Sequence, residues 1–138
     1  MTIDIDGNVL DSEGLGTSVN TKDSLLAVRR GGTLILEDSA GTGIVDGSKV
    51  GTIYAAVKLT EKGEDAEGEV AKGVINGGSY KGTYYAVTGN GSRQNTDVTI
   101  NNGKFEGTAA NDSMAVYHPQ NGVFIVNGGE FTGSTCFV

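Results

Sequence analysis

The chain has 138 residues, 37 % of them hydrophobic, and a net charge of −7 at pH 7 with a pI near 4.5. That length suits one domain with a thin core, and the acidic balance argues against a nucleic-acid partner, which is held by neutralising phosphates with Lys and Arg. No apolar run approaches the ~20 residues that cross a bilayer, and the single Cys, Cys136, cannot close an internal disulfide. "MTIDIDGNVL" lacks the basic and apolar regions of a signal peptide, so the expectation is a protein made without export or a piece cut from a longer precursor. Twenty-three glycines and one Pro predict short strands joined by tight turns.

In chain order the predicted elements fall into two alternating blocks. "LLAV" (Leu25 to Val28) begins one block. "TLILED" (Thr33 to Asp38) is a weak copy of the other, with Ile44 in the place of an aromatic after a short insertion. "YAAV" (Tyr54 to Val57) follows; its β-branched and aromatic character argues for a strand. Then come "INGGSY" (Ile75 to Tyr80), "TYYAV" (Thr83 to Val87), "INNGKF" (Ile100 to Phe105), "DSMAVY" (Asp112 to Tyr117), "VNGGEF" (Val126 to Phe131) and a terminal "TCFV". Asn76, Asn101 and Asn127 are spaced by 25 and 26 residues, and Val28, Val57, Val87 and Val116 by 29, 30 and 29. Short strands at one period without helical patterning predict a parallel β-solenoid, in which each coil buries its apolar face only by stacking on the next.

Strand alternation assigns the columns. Leu26/Val28, Ala55/Val57, Tyr85/Val87, Met114/Val116 and Cys136/Val138 are expected to face inward. Leu34/Leu36, Val98/Ile100 and Phe124/Val126 make a second inward column, and Tyr80, Phe105 and Phe131 with Ile44 a third. The three asparagines are expected to form a corner ladder of amide bonds. Ala27, Ala56, Ala86 and Ala115 would then line a shallow furrow outside, flanked by Tyr54, Tyr84, Tyr117, Arg29 and Lys58.

"TIDIDGNVL", "GGTLILEDSAGTGIV", "VTINNGKFEG" and "AVYHPQNGVFIVNGGEFTG" resemble the right-handed parallel β-helix (pectate-lyase-like) repeats of bacterial surface proteins and phage particles. The resemblance covers nearly the whole chain. It implies an all-β fold, a right-handed parallel β-helix (solenoid) of about four to five coils. Residues 1–138 would form a single β-helix domain or a fragment of a longer solenoid. It implies function only weakly, because that fold hosts lyases, hydrolases, adhesins and viral spikes. No stretch matches a catalytic motif, so no catalytic residue, cofactor or metal is expected.

The remaining motifs have plain readings. His118 in "YHPQN" is the only His, without the second His or Cys of a metal set, and reads as a corner residue that adds to a binding surface. "DIDGN" (Asp4 to Asn8) lacks the rest of a calcium loop, and the acidic run from Glu61 to Glu69 reads as a solvated loop. "GNGSRQN" (Gly89 to Asn95) lacks the Lys and helix of a phosphate loop. Cys136 reads as a small core residue. The furrow with Tyr54, Tyr84, Tyr117, His118, Arg29 and Lys58 is the candidate binding surface, its expected ligand a glycan or a protein chain. A strand-ended C-terminal coil predicts a protein partner or a homo-oligomer there. The expected role is a non-catalytic structural and binding module on an extracellular surface or virion, and the alternative a polysaccharide lyase or glycoside hydrolase. Convergence of two or more of Asp112, His118, Arg93 and Lys58 would favour the alternative.

Overall fold

The computed structural model describes residues 1–15, 24–29, 31–50, 54–59, 69–89, 95–119 and 121–135. The first coil carries β1 (Thr2–Asp4), β2 (Val9–Asp11) and β3 (Ser24–Val28). The second carries β4 (Thr33–Glu37), β5 (Ile44–Asp46) and β6 (Ala55–Leu59), and the third β7 (Ala71–Ile75), β8 (Ser79–Gly82) and β9 (Tyr85–Gly89). The fourth carries β10 (Thr96–Ile100), β11 (Lys104–Gly107) and β12 (Met114–Tyr117), and a partial fifth β13 (Phe124–Val126) and β14 (Glu130–Thr132). Two 3₁₀ turns, at Glu13–Leu15 and Gly47–Lys49, are the helical elements among the described residues.

Each strand from β1 to β11 pairs in parallel with the strand three further along the chain. The three sheets run β1-β4-β7-β10-β13, β2-β5-β8-β11-β14 and β3-β6-β9-β12. We call them the first, second and third sheets. The protein is thus all-β with parallel sheets visited in rotation, consistent with a β-solenoid.

The core is built from columns. In the first sheet, Val98 pairs with Phe124 and Ile100 with Val126, while Leu36 pairs with Ile3 and Ile75; Val126, expected inward, is exposed because no further described strand covers it. In the second sheet, the Tyr80, Phe105 and Phe131 rings stack at 5.3 and 5.2 Å between centroids, within 13° of parallel. The residue that aligns with Tyr80 one coil earlier is Val45, not Ile44, which pairs instead with Ser79. The asparagine ladder is present: Asn127 Nδ2 donates to Asn101 Oδ1 at 2.7 Å, and Asn101 Nδ2 to Asn76 Oδ1 at 2.7 Å. It runs one residue further than the asparagines do, because Asn76 Nδ2 lies 3.4 Å from Glu37 Oε1. Beyond each ladder asparagine the chain turns sharply through Gly78, Gly103 or Gly129, all at positive φ, where a side chain would be strained.

The third sheet departs from simple alternation. Its register runs Leu26–Val57–Val87–Val116, so Val28 sits two residues beyond the valine column and pairs with Leu59. The pairing also passes over Leu25, Ala56, Ala86 and Ala115, one position in every coil, whereas the ladders of the other two sheets are continuous. A local break of this kind breaks the in-out alternation. Ala56, Ala86 and Ala115 are fully buried and join the same core as Val57, Val87 and Val116. The expected alanine furrow therefore does not exist at these three positions; only Ala27, which pairs with Lys58 rather than following that column, is exposed. Each of the three alanines is 0 % exposed, so a longer side chain there would have to displace its core neighbours.

Two substitutions test this packing. Ala86→Leu is expected to destabilise the protein by ~1–3 kcal/mol through overpacking, where an outward furrow would leave the urea midpoint unchanged. Phe105→Ala, at the centre of the ring stack, is expected to cost ~3–5 kcal/mol in the same measurement.

Candidate functional site

The break in the third sheet also gathers tyrosines. Tyr84 N and Tyr85 N both donate to Tyr54 O at 3.1 Å, so one carbonyl anchors the start of both consecutive tyrosines. Tyr85, which strict alternation would send into the core beside Val87, instead contacts tyrosine rings on three sides. Its centroid lies 4.8 Å from Tyr54 edge-on, 6.5 Å from Tyr84, and 5.1 Å from Tyr117 at 17°. Tyr54 and Tyr84 are 5.1 Å apart, and the Tyr54 and Tyr85 hydroxyls are 3.3 Å apart. Tyr84 and Tyr117 are 38 % and 40 % exposed, while Tyr54 and Tyr85 are half-buried beneath them. The sequence reading placed Tyr54, Tyr84 and Tyr117 together but missed Tyr85; the doubled tyrosine at 84–85 was the available signal.

The charged residues expected beside this cluster lie elsewhere. Lys58 is only 6 % exposed, packed within β6 rather than standing free along a furrow. Arg29 is exposed, but it follows the C-terminal end of β3, whereas Tyr54 precedes the N-terminal end of the parallel neighbour β6. Arg29 borders a small cleft between the first and second coils with Met1, Leu26 and Leu34.

His118 follows β12 and stacks on Phe124 at 5.3 Å and 15°. Its Nε2 lies 2.8 Å from Thr96 Oγ1 and 3.2 Å from Thr96 O. Both Thr96 oxygens thus face one edge of the imidazole, which holds the ring in place across two coils. The imidazole thereby closes over the last coil's Phe124. Asp112 belongs to a different neighbourhood, where its charge acts on Tyr85. Arg93, Cys136 and the acidic run from 61 to 68 lie outside the described residues.

"DIDGN" is a turn that organises a neighbouring loop. Asp4 Oδ1 accepts from Asp6 N and Ser39 N, each at 3.0 Å, and these backbone donors, Ser39 first, hold its carboxyl below the usual aspartate range. Asp6 and Gly7 take positive φ. Among the described residues, no group of three or more His, Cys, Asp or Glu is placed to hold a metal ion, and no helix is long and apolar enough to cross a membrane.

Comparison of the chain with protein-family models, with curated proteins and with solved structures returned no match.

Burial, reinforced by the Tyr54 hydroxyl, pushes the Tyr85 phenol above the ordinary tyrosine range, and burial does the same at Tyr80 beside Asp38. A raised acid keeps its proton in the folded state while the unfolded chain loses it. The stability it contributes is full below pH ~10, the unfolded value, and falls as pH rises past it. Tyrosinate absorbance is expected to rise in two stages, the later one coinciding with loss of the β circular-dichroism signal. Tyr85→Phe should make stability above pH ~10 fall less steeply.

Proposed function

We propose that the chain is a right-handed parallel β-helix of the pectate-lyase-like kind, serving as a non-catalytic structural and binding module of a bacterial cell-surface or phage-particle protein. Right-handed winding is what parallel strand crossovers adopt. The tyrosine-bearing face of the third sheet is the binding surface, and its ligand is a glycan. The observation that carries this reading is the cluster of Tyr54, Tyr84, Tyr85 and Tyr117, whose two outer rings are more than a third exposed. Aromatic rings held rigid by other rings offer an apolar face with a polar rim, which suits the C–H face and hydroxyl edge of a sugar. Rigid rings also lose little entropy when a ligand binds.

A neighbouring subunit is the second reading. Val123, Ile125 and Val126 are 51 %, 42 % and 43 % exposed, and among the described residues β13 and β14 each have a strand neighbour on one side only. A strand edge of this kind accepts another chain.

The test of the first reading is a glycan array followed by a reducing-sugar release assay on each polysaccharide that binds. Binding without release is the expected result, with Tyr84→Ala and Tyr117→Ala each weakening it about tenfold, ~1.4 kcal/mol. Release of reducing ends would replace this reading with a polysaccharide lyase or glycoside hydrolase. Binding unaffected by either tyrosine would move the ligand off this face. For the second reading, sedimentation across a concentration series is expected to show association that Ile125→Lys abolishes.

A further inference from the structure

The corner between the first and second sheets holds a second site, independent of the tyrosine face. After the ladder residue, the corners of the third, fourth and fifth coils are two residues long: Gly77-Gly78, Asn102-Gly103 and Gly128-Gly129. In the second coil the same corner takes six, Asp38 to Gly43. The longer corner overhangs the flat ones and leaves a groove of about 470 Å³ between them, within the size range of small-ligand sites.

The overhang is fixed before any ligand arrives. Asp38 Oδ1 accepts from Gly7 N at 2.9 Å and Oδ2 from Gly43 N at 2.7 Å. Ser39 N and Oγ donate to Asp4 and Asp6, each at 3.0 Å. The floor is glycine backbone, and the polar residues that line it include Thr42, Asn76, Ser79, Asn102 and the Lys104–Glu130 ion pair at 3.5 Å. Asn102 Oδ1 accepts from Gly103 N, so the amide offers its NH₂ as donor.

This donor set selects by chemistry. No group of three or more His, Cys, Asp or Glu gathers among the described residues, which leaves no carboxylate cage for a bare cation. Asp38 and Glu130 outweigh Lys104, which disfavours an anion. Hydroxyls, an amide and a paired acid and base supply donors and acceptors together, and the glycine floor with Ile44 supplies a flat apolar patch. We propose that this corner groove binds one or two residues of a neutral saccharide, with the sugar's C–H face on the glycines and its hydroxyls toward Thr42, Ser79 and Asn102.

The experiment is a titration of the isotope-labelled chain with cellobiose, maltose and N,N′-diacetylchitobiose, followed by amide chemical shifts. Saturable shifts at Thr42, Ser79 and Asn102 with at least one disaccharide are expected. Gly77→Leu should fill the groove: a Cβ there meets only Asp38, its nearest atom at 3.9 Å, and its φ is ordinary, so the thermal midpoint should hold while affinity falls more than about tenfold. Asn102→Asp keeps the acceptor for Gly103 N and removes the donor, so it should weaken binding severalfold even if the Leu variant fails to fold. Tyr84→Ala should leave these shifts intact. The proposal is overturned if none of the three sugars shifts these amides, if both groove variants bind as the parent does, or if galacturonate binds as tightly as the neutral sugars. Shifts confined to the tyrosines would sustain the sheet-face reading and overturn this one.

Discussion

In-register stacking of one coil on the next is the constraint on which the rest depends. Parallel ladders fix adjacent coils at the ~4.8 Å spacing of paired strands, and every residue then meets its counterpart from the neighbouring coil. The aromatic rings follow that spacing closely, with centroids 5.2 and 5.3 Å apart in the second sheet. A coil this small cannot bury its own apolar face; the column, not the coil, is the unit of stability. Like side chains therefore succeed one another in the ring stack and the asparagine ladder, while Val45 below Tyr80 shows that a column also accepts unlike apolar shapes.

The third sheet bends this rule without abandoning it. The break recurs at the same position in each coil, so the stack is preserved while the alternation is lost. Two consequences reach the surface. Ala56, Ala86 and Ala115 are drawn into the core, and Tyr85 is turned out to support Tyr54, Tyr84 and Tyr117. The aromatic face thus accompanies a backbone irregularity, and its rings brace one another.

The period, the strand-rich class, the ring stack and the asparagine ladder were all legible in the sequence, because each is a repeated residue type at a fixed spacing. The alanine furrow was not, because it relied on strict alternation through a position where the ladder is broken. Val28 was matched to Val57 by identity, whereas the register matches Leu26 to Val57; both are apolar, and composition could not choose between them. Ile44 was taken for the counterpart of Tyr80 for the same reason, with Val45 one residue away. His118 follows the end of β12, and its contacts with Thr96 and its stack on Phe124 depend on neighbours across coils that no local pattern encodes. The corner groove escaped because it depends on the unequal length of corners, which appeared in the sequence only as an insertion before Ile44.

The amide file at the corner has a direction. Each Nδ2 points to the preceding coil and each Oδ1 to the following one, from Asn127 back to Asn76. Aligned amides reinforce one another, so the file behaves as a small axial dipole, positive at its Asn76 head. A carboxylate belongs there for the reason that acids favour a helix N-terminus, and Glu37 occupies it. The two ends of the column are consequently not interchangeable: an acid that is favourable at residue 37 would, at residue 101, set two acceptors face to face. Polarity written into one corner thereby tells the stack which way is up.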